Sequence, residues 1–159
     1  YLIAGRKEEA RDEFVRSVDL ASNAWAYHGL ACLYLKSDPE KAKQFIMEGM
    51  ALQRERLSYQ KEGFKILEKC GAYKEIDEEY KKQTAENQKN GRIQYYYVAA
   101  LAKLERNEEA YHLLNDGDGI DVSDIREGDS DIQSIWESLH EKVYGEKGHL
   151  PHYYNFKVN

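Results

Sequence analysis

Residues 23–52 read NAWAYHGLACLYLKSDPEKAKQFIMEGMAL, two amphipathic stretches on either side of an Asp-Pro pair. On the first stretch Tyr27, Leu30, Ala31 and Tyr34 fall at helical spacing. Asp38 is a good N-cap, and Pro39 suits a first helical position because no N–H is needed there. Ala42, Ile46 and Gly49 then share one face of the second stretch. Ala31, Ala42 and Gly49 are small, so two helices can approach closely where they meet. The spacing predicts helices over 24–36 and 39–52 joined by a tight turn.

The unit recurs. A small or apolar residue early in each second helix stands at Ala10, Ala42, Ile76 and Ala110, in steps of 32, 34 and 34. One helical turn further on, Phe14, Ile46, Tyr80 and Leu114 repeat those steps. The ends of the first helices, Tyr1, Tyr34, Leu67 and Leu101, step by 33, 33 and 34. Three columns thus hold one period. This period, with its alternation of small and large residues, resembles the tetratricopeptide repeat, a helix–turn–helix unit of that length. The resemblance covers residues 1–115, with Tyr27-Leu30-Ala31-Tyr34 in place of the family's Trp-Leu-Gly-Tyr signature. It implies an all-α fold, a right-handed superhelical stack of about three and a half TPR-like hairpins. It also implies a protein-binding scaffold that holds its partner on the concave face.

Punctuation along the chain fits that reading. Gly5 separates the end of one helix from a second-type helix over 7–20. The third unit is expected at 54–69 and 74–88, with Gly71 as the left-handed stop between them. On 74–88, Ile76 and Tyr80 should point inward, and Glu78, Glu79, Lys81 and Lys82 outward. Asn90-Gly91 ends that helix, and the fourth unit follows at 92–105 and 108–115. Residues 116–159 complete the same domain with an acidic loop, a capping helix and an extended aromatic tail. Ser130 with Gln133 fits a capping box. Ile132, Ile135, Trp136, Leu139 and Val143 give the last helix one apolar side, as the terminal cap of a repeat stack requires. The Trp-bearing helix, Leu150-Pro151 and the ending Asn155-Phe156-Lys157-Val158 resemble the C-terminal ends of bacterial proteins in which helical repeats follow a mutarotase-like β-sandwich. That resemblance implies an accessory module of a larger carbohydrate-active protein and carries over no catalytic residue.

Composition limits the function classes. The net charge of −6 argues against general nucleic-acid binding, which needs a basic surface to neutralise phosphates. No apolar run is long enough to span a bilayer, so no membrane partner is expected. Cys32 and Cys70 are the only cysteines and read as small buried hydrophobes. Their scarcity points to a reducing, cytoplasmic setting. The chain opens at Tyr1 without Met, which reads as a piece of a longer protein.

The family register assigns a ligand-binding concave face to Trp25, His28 and Lys36 in the second unit. The third unit would add Lys61 and Lys65, and the fourth Arg92, Tyr95 and Lys103. This cationic and aromatic set suits a peptide or sugar bearing carboxylates. The plainer reading is that these lysines and arginines are solvated helix faces, with Trp25 and Tyr95 packed between units. In the run Tyr95-Tyr96-Tyr97, Tyr97 should face inward, and Tyr95 or Tyr96 should reach a surface. The asparagines with which some tetratricopeptide domains clamp a C-terminal carboxylate are absent; Gly29 and Tyr96 stand at one such position.

Asp116, Asp118, Asp124 and Glu127 match four EF-hand positions, but Ile120 and Asp121 occupy the fifth and sixth, so a solvated turn is expected. His140, His149 and His152 lack a fixed zinc geometry. There is no P-loop, G-x-G-x-x-G, H-E-x-x-H or G-x-S-x-G string. The expectation is no metal, no cofactor and no enzyme activity. Three roles remain open: an interaction scaffold for a protein, a peptide or an upstream domain of the same chain; the accessory module just described; and a homodimer formed through the Ala10–Phe14 face.

Overall fold

The computed structural model describes residues 22–117, 119–123 and 132–148. The helix expected over 7–20, most of the acidic loop, the Ser130 cap, and the tail with His149 and His152 lie outside the described residues. Every regular element among the described residues is an α-helix: α1 (22–34), α2 (Pro39–Leu52), α3 (Leu57–Lys69), α4 (Tyr73–Lys81), α5 (Ala85–Gln88), α6 (Gly91–Lys103), α7 (Asn107–Asn115) and α8 (Ile132–Tyr144). None of them is long and apolar enough to cross a membrane. The chain divides into two compact units, Tyr1–Cys70 and Gly71–Asn159.

The 34-residue period is written into the backbone. Helices α3 and α6 begin at 57 and 91 and end at 69 and 103; α4 and α7 begin at 73 and 107 and end at 81 and 115. The residue preceding α4 and the one preceding α7, Ala72 and Arg106, share φ −86° and ψ 61°. The stop after α3 is Gly71 at φ +68°, and one period on it is Glu105 at φ +61°. Glycine takes that conformation freely, whereas Glu105 carries the Cβ penalty and is held by its turn. There the Arg106 N–H donates to the Leu101 carbonyl at 2.9 Å and the Glu105 N–H to Ala102 at 3.1 Å.

In the first unit the Asp38 carboxylate accepts from the Lys41 N–H at 3.3 Å and opens α2, with Pro39 in its first turn. Ala42, Ile46, Gly49 and Met50 form the buried face of α2. Gly49 leaves room for Tyr59 of α3: a Cβ there would lie 1.8 Å from the Tyr59 hydroxyl. Through that gap the hydroxyl donates to the Ala24 carbonyl of α1. Gly63 makes the reverse accommodation, since Met50 fills the space where its Cβ would stand. The buried Gln60 side chain donates to the carbonyls of Met50 (3.0 Å) and Gln53 (2.7 Å) at the end of α2, where Gln53 also accepts from the Arg56 N–H at 3.0 Å.

In the second unit α6 packs against α4, α5, α7 and α8. Crowding from several directions buries Tyr95, Tyr96 and Tyr97 together, so neither Tyr95 nor Tyr96 reaches the surface as expected. Tyr97 stacks on Tyr80 of α4, with ring centroids 3.8 Å apart and planes at 10°. The expected single helix over 74–88 is two helices, because Thr84 adopts extended backbone and its hydroxyl accepts from the Asn87 N–H at 3.1 Å, starting α5. A cap hydroxyl competes with the helical ladder for a backbone donor, and here it wins. Across the corner the Tyr80 hydroxyl donates to the Gln88 carbonyl (3.2 Å), and the Gln88 amide donates to the Tyr80 carbonyl (2.9 Å). Glu79, expected outward, is buried, with the Lys82 ammonium 3.7 Å from its carboxylate. Asn90-Gly91 opens α6 as well as closing the preceding segment: the Asn90 carbonyl oxygen of the side chain accepts from the N–H groups of Arg92 and Ile93. Gly91 must lack a side chain because the Asp121 carbonyl lies 1.5 Å from where its Cβ would be.

Replacing Gln60 by Leu removes both hydrogen bonds and leaves the Met50 carbonyl in a buried setting without this donor, whereas Gln53 keeps the Arg56 N–H. Urea denaturation should show a loss of about 1–3 kcal/mol, the usual cost of buried unsatisfied polar groups. An unchanged midpoint would mean that water reaches the Met50 carbonyl.

Candidate functional site

The expected binding residues divide between the two units, and Tyr95 alone among them lies in a core. In the first, α1 places Trp25, His28 and Cys32 on neighbouring turns, while α3 brings Tyr59 and Glu62 against them. The Trp25 ring meets His28 edge-on with centroids 5.2 Å apart and Tyr59 at 4.9 Å, yet it remains 47% exposed. The His28 Nε2 lies 3.6 Å from the Glu62 carboxylate and its Nδ1 lies 3.9 Å from the Cys32 Sγ. Cys32 is exposed, against the expectation that it is buried, because it stands on the flank of the α1 face that buries Ala24 and Ala31. Burial, with the Cys32 sulfur adding to it, pushes the Tyr59 phenol above its ordinary value. Lys61 and Lys65 lie one turn apart on α3, both half-buried, and Lys36 is exposed in the turn after α1.

In the second unit Arg92 is half-buried in the first turn of α6, and Tyr95 is a core residue that meets Tyr96 edge-on at 5.7 Å. Lys103 is exposed, at the rim of a cleft of about 190 Å³ between α6 and α8. Ala102, Ile135 and Leu139 give the cleft apolar lining, and Ser134, Ser138, Lys103 and Lys142 give it hydroxyls and ammonium groups. Neither lysine forms an ion pair among the described residues. Such a cleft favours a ligand group with a negative charge and an apolar stem. The apolar set read from the sequence for the capping helix leaves out Ser138 and Lys142. The signal it missed is the stripe of Ser134, Ser138 and Lys142 at intervals of four, which the packing of α8 on α6 brings beside Lys103. A wider depression on α8 is lined by Ser134, Glu137, Ser138, Glu141, Lys147 and Gly148, two carboxylates with one ammonium group.

Other polar clusters in this unit hold the fold. The Tyr111 hydroxyl is 3.0 Å from His140 Nδ1, the Trp136 N–H donates to Asn115 at 2.8 Å, and Asn115 donates to the Tyr111 carbonyl at 2.8 Å. Together they pin α8 to α7. Arg106 bridges Asp77 of α4 at 2.9 Å and grips both Glu109 oxygens, at 3.0 and 2.7 Å. Burial raises the Asp77 carboxyl, but the bonds from Arg106 and Lys81 outweigh it and its pKa falls below the ordinary value. Beside it, burial and then the Asp77 charge push the Tyr97 phenol up to about 12. Asp116 of the EF-hand-like string faces His112 at 3.4 Å. No group of three His, Cys, Asp or Glu side chains among the described residues could hold a metal ion. Compared with known proteins, the chain matches no family model, no curated protein and no solved structure.

Asp77 has its pKa lowered on folding, so its pairing stabilises the protein above the ordinary carboxylate value of 3.8 and is lost as the pH falls through the lowered one. Asp77→Asn should therefore cost about 1.5–3 kcal/mol at pH 7, the range for a hydrogen bond to a charged group. The gap between variant and parent should narrow in denaturation curves as the pH falls below 3.8 and close once it has passed the lowered value. A gap that stays constant with pH would assign the loss to packing instead.

Proposed function

We propose that the protein is a non-enzymatic interaction scaffold, with TPR-like hairpins continuing as a right-handed superhelical stack and α8 as its cap. It binds a protein or peptide segment that carries carboxylates. One observation carries the reading: Lys103 and Lys142 flank an apolar-lined cleft between α6 and α8. In the repeat register α6 is a first-type helix, α8 occupies the next such place, and faces of that kind line the concave side of a repeat stack. The contact of α8 with both α6 and α7 supports this register, as does the 34-residue recurrence of helix ends. Two ammonium groups beside apolar carbon suit a carboxylate on an aliphatic or aromatic residue, and the surrounding acidic protein turns away ligands of high negative charge. An upstream domain of the same polypeptide can supply such a segment as well as a separate protein can.

The stack itself is tested by small-angle X-ray scattering of the full chain. A curved, elongated particle is expected, and a compact sphere excludes it. The binding reading is tested on an array of short peptides with acidic and apolar residues, each with a free and an amidated C-terminus. Retention should weaken with salt and fall by about tenfold or more in the Lys103→Glu, Lys142→Glu double variant, because like charge then faces the ligand. Retention indifferent to both salt and charge reversal would remove the cleft from the reading.

A further inference from the structure

We propose that Cys32, His28 and Glu62 of the first unit form a thiol–imidazole–carboxylate relay, which makes Cys32 a nucleophilic thiol and a site of mixed-disulfide formation with low-molecular-weight disulfides. The inference does not depend on the cleft between α6 and α8. His28 and Cys32 are four residues apart on α1, the spacing that stacks side chains on one face. The thiol Sγ lies 3.9 Å from Nδ1, and the far ring nitrogen, Nε2, lies 3.6 Å from a Glu62 oxygen. Trp25 and Tyr59 meet the imidazole edge-on and hold its orientation. Nε2 is shielded from solvent and has no hydrogen bond, so the carboxylate is the group placed to receive a positive charge that develops there.

The location of Cys32 makes the imidazole necessary. The thiol sits in the last turn of α1, where the partial negative charge of the helix end opposes a thiolate. A thiol there without a base would be less reactive than in an unfolded chain. With His28 present, the S–H proton passes to Nδ1 and the imidazolium faces Glu62. The thiolate then attacks one sulfur of the small disulfide. A new S–S bond forms at Cys32, the old one breaks, and the departing thiolate takes the proton from His28. Cys32 is oxidised by the disulfide, which is reduced to one free thiol, and no further reactant is required. Cys32 is exposed, so the disulfide can reach it, whereas burial pushes the Cys70 thiol up and leaves it a poor competitor.

The experiment incubates the full chain with oxidised glutathione at pH 7 and follows the mixed disulfide at Cys32 by peptide mass mapping. The folded chain should react about tenfold faster at Cys32 than the same chain unfolded in urea, the scale on which an activating neighbour moves thiol reactivity. His28→Gln, with helicity checked by circular dichroism, should bring the folded rate to the unfolded rate or below it. Glu62→Gln should give an intermediate rate, and Cys70→Ser should leave the rate unchanged. A parent chain whose Cys32 reacts no faster folded than unfolded overturns the proposal without any variant having to fold. A full rate in folded His28→Gln also overturns it.

Discussion

Helix α6 must be covered on several sides at once, and the second unit is arranged around meeting that demand. A helix in contact with α4, α5, α7 and α8 has little room for a polar stripe. GRIQYYYVAALAK meets the demand with three consecutive tyrosines whose rings leave the helix in different directions, each apolar in body and polar at the tip. Tyr97 stacks on Tyr80, and its phenol lies beside Asp77, which the Arg106 fork holds in its ionised form. Burying a tyrosine this way costs little, because its hydroxyl ends among polar groups and not in hydrocarbon. The same crowding pushes the charged residues of α6 to its ends. Lys103 in the last turn therefore stands at the rim of the cleft with α8, next to an apolar lining.

The helical period was legible because it rests on backbone punctuation and on spacing. Asp38-Pro39 and Gly71 acted where they were expected, and the apolar face of α8 is the one its spacing marks out. Three features were hidden, each for a different reason. Thr84 looks like an ordinary helical residue until its hydroxyl captures the Asn87 N–H, so the break between α4 and α5 depends on a choice between two nearly equal hydrogen bonds. Glu79 reads as an outward residue because carboxylates normally stay in water, yet the packing encloses it. The third is the pairing of helices. Ser138 and Lys142 border the apolar face of α8, Lys142 on the same side as Ile135, and only the contact with α6 turns that border into a cleft.

The candidate sites were half legible for the same reason. A register assigns each residue to a face of its own helix, and this placed Trp25, His28 and Lys103 on surfaces. It could not show that Tyr59 and Glu62 arrive from α3 to surround His28, because that depends on how closely α2 and α3 approach. Two glycines set the approach. Gly49 admits the Tyr59 phenol and Gly63 admits Met50, so the ring near His28 is there because a side chain is missing elsewhere. Tyr95 went the other way: its register position suggested a groove, but the coverage of α6 put it in the core.

Why residue identities differ between positions one period apart follows from the packing. At the α2–α3 contact Gly63 contributes no side chain, and a long methionine fills the space. One period later the same place is Tyr97, which brings a whole ring and meets another ring, Tyr80, across α4 and α6. The inner face of each second-type helix varies likewise, from Ala42 and Ile46 through Ile76 and Tyr80 to Ala110 and Leu114. A close-packed interface requires that the volumes facing each other fill the gap, and many pairs of residues satisfy it. What has to recur is the spacing of the helices and the turn between them, and between the pairs α3–α4 and α6–α7 those features repeat to the residue. The identities can then drift, and each interface is left free to expose different chemistry: a histidine beside a thiol in the first unit, and two lysines beside hydroxyls in the second.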